Sequence, residues 1–185
     1  MLRIAIFGLI ALFIVSLVFI LAWGLSIKQP TSSLSGHAVI DKPAPDFSLK
    51  TFEGEDLTLS ELYGNPIVIN FWASWCFPCR QEARVLEKTW REYRERNISF
   101  VGIAVQDSDQ GARNHLSEFQ ITYPNALDQD GRVSVDYGIV GMPATFFVNS
   151  VGIIEGRWVG AIPETGLIER LEILVGEQHL PYDLK

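Results

Sequence analysis

From Ile4 to Ile27 the chain runs for 24 residues without one ionisable side chain, and all 22 acids lie at Asp41 or later. Whatever folds in water must therefore be built from the residues beyond this run. As a helix rising about 1.5 Å per residue it reaches roughly 36 Å, enough for a hydrocarbon core of about 30 Å. Trp23 stands near its far end, where an indole favours the membrane interface. The competing reading is a cleaved signal peptide. That reading needs an apolar core of only about 7–15 residues and an A-x-A-like site, and no such site is found after the run. Residues 1–28 are read as a single-pass membrane anchor. Arg3 and the terminal amine favour an inside start, which puts the rest of the chain outside the cytoplasm. Residues 29–45 are aperiodic and rich in Ser, Pro and Gly, the composition of a tether. Residues 46–185 remain as one domain, long enough to bury a single core.

Composition removes several classes. After residue 28 the chain carries 13 basic against 22 acidic side chains, and the whole chain has a formal net charge of −7. Such a domain has no basic footprint for nucleic acid. Two cysteines and three histidines are too few for a disulfide-rich scaffold or a Cys-rich zinc fold.

Within the domain, Phe47–Leu49 and Phe52–Leu57 flank Glu53-Gly54 and predict a β-hairpin. The run IVINFWA after Pro66 reads as a strand buried on both faces. A helix comes next, with Ala83, Leu86, Trp90 and Tyr93 at steps of three and four, ending near Asn97. Ser99–Val105 is a second buried strand. A weaker helix lies near Arg113–Phe119, and a short helical stretch covers Arg132–Tyr137. Strands at Ala144–Asn149 and Ile153–Val159 precede a closing helix at Glu164–Val175. This order predicts an α/β fold with a mixed sheet, its first two long strands parallel and its last two antiparallel.

Both cysteines fall in one tetrapeptide, Cys76-Phe77-Pro78-Cys79, where a buried strand meets a helix. Zinc would need four ligands. A structural disulfide closing so short a loop is worth roughly 2 kcal/mol before strain, a poor staple. Redox exchange suits every position. Free N–H groups and the dipole at a helix N-terminus lower the pKa of Cys76 and make it the nucleophile. Pro78 wastes no N–H in the first turn. Cys79 is held where it can resolve a mixed disulfide. Trp75 supplies an apolar rim for an extended substrate segment.

The segment FWASWCFPCRQE resembles the active-site segment of thioredoxin-like proteins. With the anchor and PAPDFSL, the chain resembles the TlpA/ResA family of anchored extracytoplasmic thiol–disulfide oxidoreductases, related to CcmG/DsbE. The resemblance spans most of residues 41–175. It implies a thioredoxin-like fold with an N-terminal β-hairpin and a central helix–strand insertion near Gln106–Tyr123. It also implies a cis peptide before Pro143 in GMPATF, facing the two cysteines and exposing Met142 backbone for pairing with substrate. Plain thioredoxins carry a buried acid where this chain has Asn70. ResA-like proteins place an acid three residues after the second cysteine, where this chain has Glu82. As i and i+3 on a helix, Cys79 and Glu82 share a face, and a partly buried carboxylate there can take the proton of Cys79.

The expected activity is thiol–disulfide exchange with no cofactor beyond a redox-active Cys76–Cys79 disulfide. Trp75, Phe77, Pro78, Met142 and Pro143 would shape the substrate edge. The resemblance further implies a membrane thiol donor of the CcdA/DsbD type and a protein disulfide substrate such as an apocytochrome c haem-attachment site. Two rivals stay open. One is a Cu(I) metallochaperone using the two thiolates, with His115 and His179 as candidate further ligands. The other is a thiol peroxidase, which would want Thr three residues before the reactive cysteine, where this chain has Ala73.

Overall fold

The computed structural model describes residues 39–177, together with residues 12, 14–17 and 19, which are helical. Among the described residues no helix is long and apolar enough to cross a membrane. Apart from those six residues, the anchor expected over 1–28 lies outside the described part.

In the domain, β1 (Ser48–Lys50) and β2 (Asp56–Thr58) form the expected hairpin, with Leu49 opposite Leu57. The main sheet has five strands in the order β5-β4-β3-β6-β7. Its strands are β3 (Ile67–Trp72), β4 (Ser99–Val105), β5 (Asn125–Asp128), β6 (Ala144–Val148) and β7 (Ile154–Val159). The helices are α1 (Phe77–Tyr93), α2 (Asp109–Phe119), α3 (Arg132–Asp136) and α4 (Glu164–Glu177). β3 pairs parallel with β4 and antiparallel with β6, and β6 pairs antiparallel with β7. The mixed sheet is the one the element order predicts.

Side chains along β3 alternate between two cores. Ile67, Ile69 and Phe71 join Tyr137, Phe146 and Ile154 on one face. Val68 joins Leu86, Phe147, Leu167 and Leu171 on the other, beneath α1 and α4. Each fully buried side chain of this size contributes roughly 1.5–3 kcal/mol. Outside the core, Glu172 clamps α4 to the end of α1 by accepting from the Tyr93 hydroxyl at 2.6 Å and from Arg96 at 2.6 Å.

The structure departs from the sequence reading in three places. The first is β5, which the sequence does not announce, since a four-residue strand containing Asn and Asp has little intrinsic β preference. It forms because β4 offers a buried edge, Gly102–Val105, along which Asn125–Asp128 pair. Asp128 then caps α3, accepting the N–H groups of Val133 at 3.2 Å and Ser134 at 2.8 Å and the Ser134 hydroxyl. The strand of the expected insertion thus lies just beyond residues 106–123, while its helix, α2, lies inside. Second, α2 begins at Asp109, a turn before Arg113, because the Ser108 hydroxyl caps it by accepting from the Gly111 N–H at 3.0 Å. Third, the tether ends earlier than residue 45. Asp41 and Ala44 donate to the carbonyls of Ile154 and Gly152, both at 2.8 Å, and Val39 and Ile40 pack on the core. A Ser/Pro-rich composition conceals this, because backbone pairing needs no particular side chain.

Candidate active site

β3 ends at Trp72, and a short turn beyond it Cys76 caps α1 with extended backbone angles. Its Sγ accepts from the Cys79 N–H at 3.3 Å, Pro78 occupies the first turn, and the two sulfurs are joined as a disulfide. The loop carrying the motif is tied to the loop after β4. Ser74 donates its N–H and hydroxyl to the Asp107 carboxylate at 2.5 and 2.8 Å, and the Trp75 indole donates to the Gln106 carbonyl at 3.0 Å. Asp107 and Gln106 escape the sequence reading. A usable signal is present: Ser74 and Asp107 each lie just past the end of one of two parallel neighbouring strands, so their loops have to meet.

Outward from the disulfide lies a groove of about 470 Å³ whose lining includes Trp75, Cys76, Phe77, Pro78, Val140 and Met142. Trp75 is 60% exposed and Phe77 70%, large apolar surfaces left in water. The Met142–Pro143 peptide is cis, as the resemblance implied. Pro143 itself is buried, and its carbonyl accepts from the Gly160 N–H at 2.8 Å. Four of the five expected substrate-edge residues thus line one groove, and Pro143, next in the chain to Met142, is not among its lining residues.

Inward, the disulfide packs in an apolar cluster with Trp72, Ala73, Ala104 and Ala112, and buried polar side chains adjoin it. Cys79 is 2% exposed. One turn along α1, Glu82 is equally buried; its carboxylate accepts from the Asn70 side-chain amide at 2.8 Å and from the Ile162 N–H at 2.7 Å. Asn70 also donates to the Thr145 hydroxyl at 3.0 Å. Burial pushes the Glu82 pKa up to about 7, although both hydrogen bonds favour the charged form. The carboxyl expected to be partly buried is therefore fully so. Asn70 holds Glu82 in place, a role the sequence reading does not give it.

A strand glycine makes room beside this layer. A Cβ on Gly102 would lie 1.7 Å from Asn125 Oδ1, the atom that accepts from the Trp72 indole at 2.9 Å. Trp72 in turn carries His115 of α2 stacked on its ring.

A sequence model of the AhpC/TSA family matches residues 40–157. The chain belongs to the AhpC/TSA family. Within this thioredoxin-like family it is 38% identical over 128 residues to the thiol:disulfide interchange protein DsbE of Pseudomonas fluorescens biotype C, covering 68% of this chain and 70% of that one. It is 27% identical over 131 residues to the thiol-disulfide oxidoreductase ResA of Bacillus cereus (strain ATCC 10987 / NRS 248), covering 71% and 76%. The fold resembles the crystal structure of a thiol:disulfide interchange protein from Chlorobium tepidum TLS with a TM-score of 0.66 and 29% identity, over 72% of this chain and 96% of that one. This family member is a thiol–disulfide oxidoreductase.

Proposed function

We propose that this oxidoreductase reduces disulfides of partner proteins outside the cytoplasm while anchored to the membrane. The observation that carries the reading is the contrast across the Cys76–Cys79 bond: an open apolar groove on one side, a buried carboxyl with a pKa of about 7 on the other. In the reduced enzyme the Cys76 thiolate, favoured by the N-terminus of α1, attacks a sulfur of the partner's disulfide. One partner sulfur leaves as a thiolate and the other stays bonded to Cys76. Cys79 then attacks the Cys76 sulfur, its proton passing to Glu82, and the Cys76–partner bond breaks. Two electrons have moved to the partner, and Cys76–Cys79 is again a disulfide. Trp75, Phe77, Pro78 and Met142 provide the surface on which an extended, uncharged segment lies.

Relatives named DsbE and ResA support a protein disulfide as the substrate. The haem-attachment cysteines of an apocytochrome c fit that class, with a membrane thiol donor of the CcdA/DsbD type restoring the dithiol. The uncharged run from Ile4 to Ile27 supports the anchor and the extracytoplasmic position. Neither rival gains a specific observation. Among the described residues no three His, Cys, Asp or Glu side chains stand together as a metal site, and His179 lies outside those residues.

The test is trapping. A full-length Cys79→Ser variant retains the attacking sulfur and loses the resolving one, so it is expected to accumulate mixed disulfides with its partners in the membrane. Mass spectrometry of the trapped species identifies them. Absence of any adduct sensitive to reductant and dependent on Cys76 sinks the proposal.

A further inference from the structure

His115 is buried on α2, stacked on Trp72 with ring centroids 4.4 Å apart and meeting Phe119 at 4.7 Å. Its Nδ1 is buried and has no hydrogen-bond partner among the described residues. Leaving such an atom unpaired costs stability, and in native proteins an ordered water commonly completes the pairing. The same side chain lines a cavity of about 10 Å³ with Cys79, Asn70, Tyr123 and Asn125. Roughly that much space is the minimum for one water.

Most other polar capacity in the lining is already used. The amide hydrogens of Asn70 go to Glu82 and Thr145, and Asn125 joins the Trp72 indole to the Tyr123 carbonyl. Cys79 is different, because its hydrogen bonding changes with redox state. In the disulfide its sulfur has no proton to give; as a thiol it is a buried donor needing an acceptor.

We propose that His115 Nδ1 and Cys79 share one buried water, which donates to Nδ1 and accepts from the Cys79 thiol once the disulfide opens. His115 is then a positioning residue that stabilises the dithiol over the disulfide. Opening the bond takes two electrons and two protons from a dithiol donor, which becomes a disulfide, and the S–H left on Cys79 donates its hydrogen bond to the water. The proposal rests on the exchange reading of Cys76 and Cys79. The charges facing the ring agree with a neutral acceptor. Burial and the Arg80 guanidinium from α1 lower the His115 pKa to about 4, against opposing pulls from Glu118 on α2 and from Asp107. Near neutral pH the imidazole therefore keeps a lone pair.

The experiment equilibrates full-length protein in detergent with glutathione buffers and reads the fraction of Cys76–Cys79 disulfide by alkylation. His115→Phe is expected to lower the equilibrium constant for reduction roughly three- to tenfold, about 14–30 mV at 29.6 mV per tenfold. His115→Asn, which returns a polar atom to the Nδ1 position, is expected to stay within about twofold of wild type, since an acceptor for the water is kept. In wild type the ¹⁵N resonance of His115 Nδ1 is expected to move on reduction. Equal constants for wild type and His115→Phe, or equal shifts for the Phe and Asn variants, overturn the proposal. Should His115→Phe fail to fold, a resonance in wild type that is the same in both redox states overturns it. A wild-type disulfide inert to glutathione removes the exchange reading itself, whatever the His115 variants do.

Discussion

On the outer side of the disulfide, Trp75, Phe77 and Val140 leave apolar surface in water; on the inner side, Asn70, Glu82, Thr145 and His115 are polar and buried. Both arrangements oppose the usual sorting of residues, and both cost stability. One face of the central strand obeys that sorting. The face of β3 turned away from α1 presents only Ile67, Ile69 and Phe71, all completely buried. Both sides of Cys76–Cys79 carry such a cost, and the two sides do different work. An exposed apolar groove gains when a partner covers it. A buried carboxyl gains when a proton must be taken up away from water.

The largest expected effect breaks the outer side. Cys76→Ser leaves the groove intact but removes the sulfur facing it, so reduction of a model disulfide is expected to fall to the uncatalysed rate. Stopped-flow measurement of that rate checks it. Activity retained by this variant would assign the nucleophile elsewhere.

Glu82→Gln breaks the inner side alone. It keeps the shape of the side chain while deleting its titration. Resolution of the mixed disulfide by Cys79 is expected to slow by about 10²–10⁴-fold, and the inflection near pH 7 in its rate profile is expected to vanish. Superimposable profiles for the two proteins would leave Glu82 a structural acid.

Gly102→Ala tests how tightly the polar layer is packed. The added Cβ must displace Asn125 from 1.7 Å and disturb the Trp72–Asn125 hydrogen bond. Overpacking and the loss of a buried hydrogen bond together predict destabilisation of about 2–4 kcal/mol. Urea unfolding of the oxidised protein measures it. A midpoint equal to wild type would show that Asn125 moves freely.

The smallest expected effect is on the pH dependence of stability. The folded pKa of Glu82, about 7, lies above its ordinary 4.5. The folded protein therefore holds that proton between these values while the unfolded chain releases it. The contribution is complete below pH 4.5 and is lost as pH rises through about 7. His115 runs the opposite way, with its folded pKa of about 4 below the ordinary 6.5. Its contribution is complete above pH 6.5 and is lost as pH falls through about 4. In wild type the two offset each other over their shared window, leaving a shallow profile. The stability of wild type relative to Glu82→Gln isolates the carboxyl, and that difference is expected to fall by roughly 3 kcal/mol from pH 4.5 to 7. A difference independent of pH would mean that Glu82 stays ionised in the fold.

Much of this architecture is visible in local pattern. The IVINFWA run and the apolar steps of α1 each record which side chains must leave water, and periodicity reports that directly. The strand–CxxC–helix junction is equally local, because the cap, the proline and both sulfurs lie within four residues. Local pattern therefore set the long elements, the parallel pairing of β3 with β4 and the position of the reactive sulfurs, but not β5. The inner side of the site is different. Its bonds join Asn70 to Glu82 and Thr145, Glu82 to the Ile162 backbone, and Trp72 to Asn125. It also brings His115 and Cys79 to the lining of one small cavity. No spacing in the chain records which buried amide will meet which carboxyl. Polar pairing depends on distances between elements and on the dielectric that burial creates, and both exist only after the sheet and helices have packed. That packing turned Glu82 from an ordinary helix acid into one with a pKa of about 7.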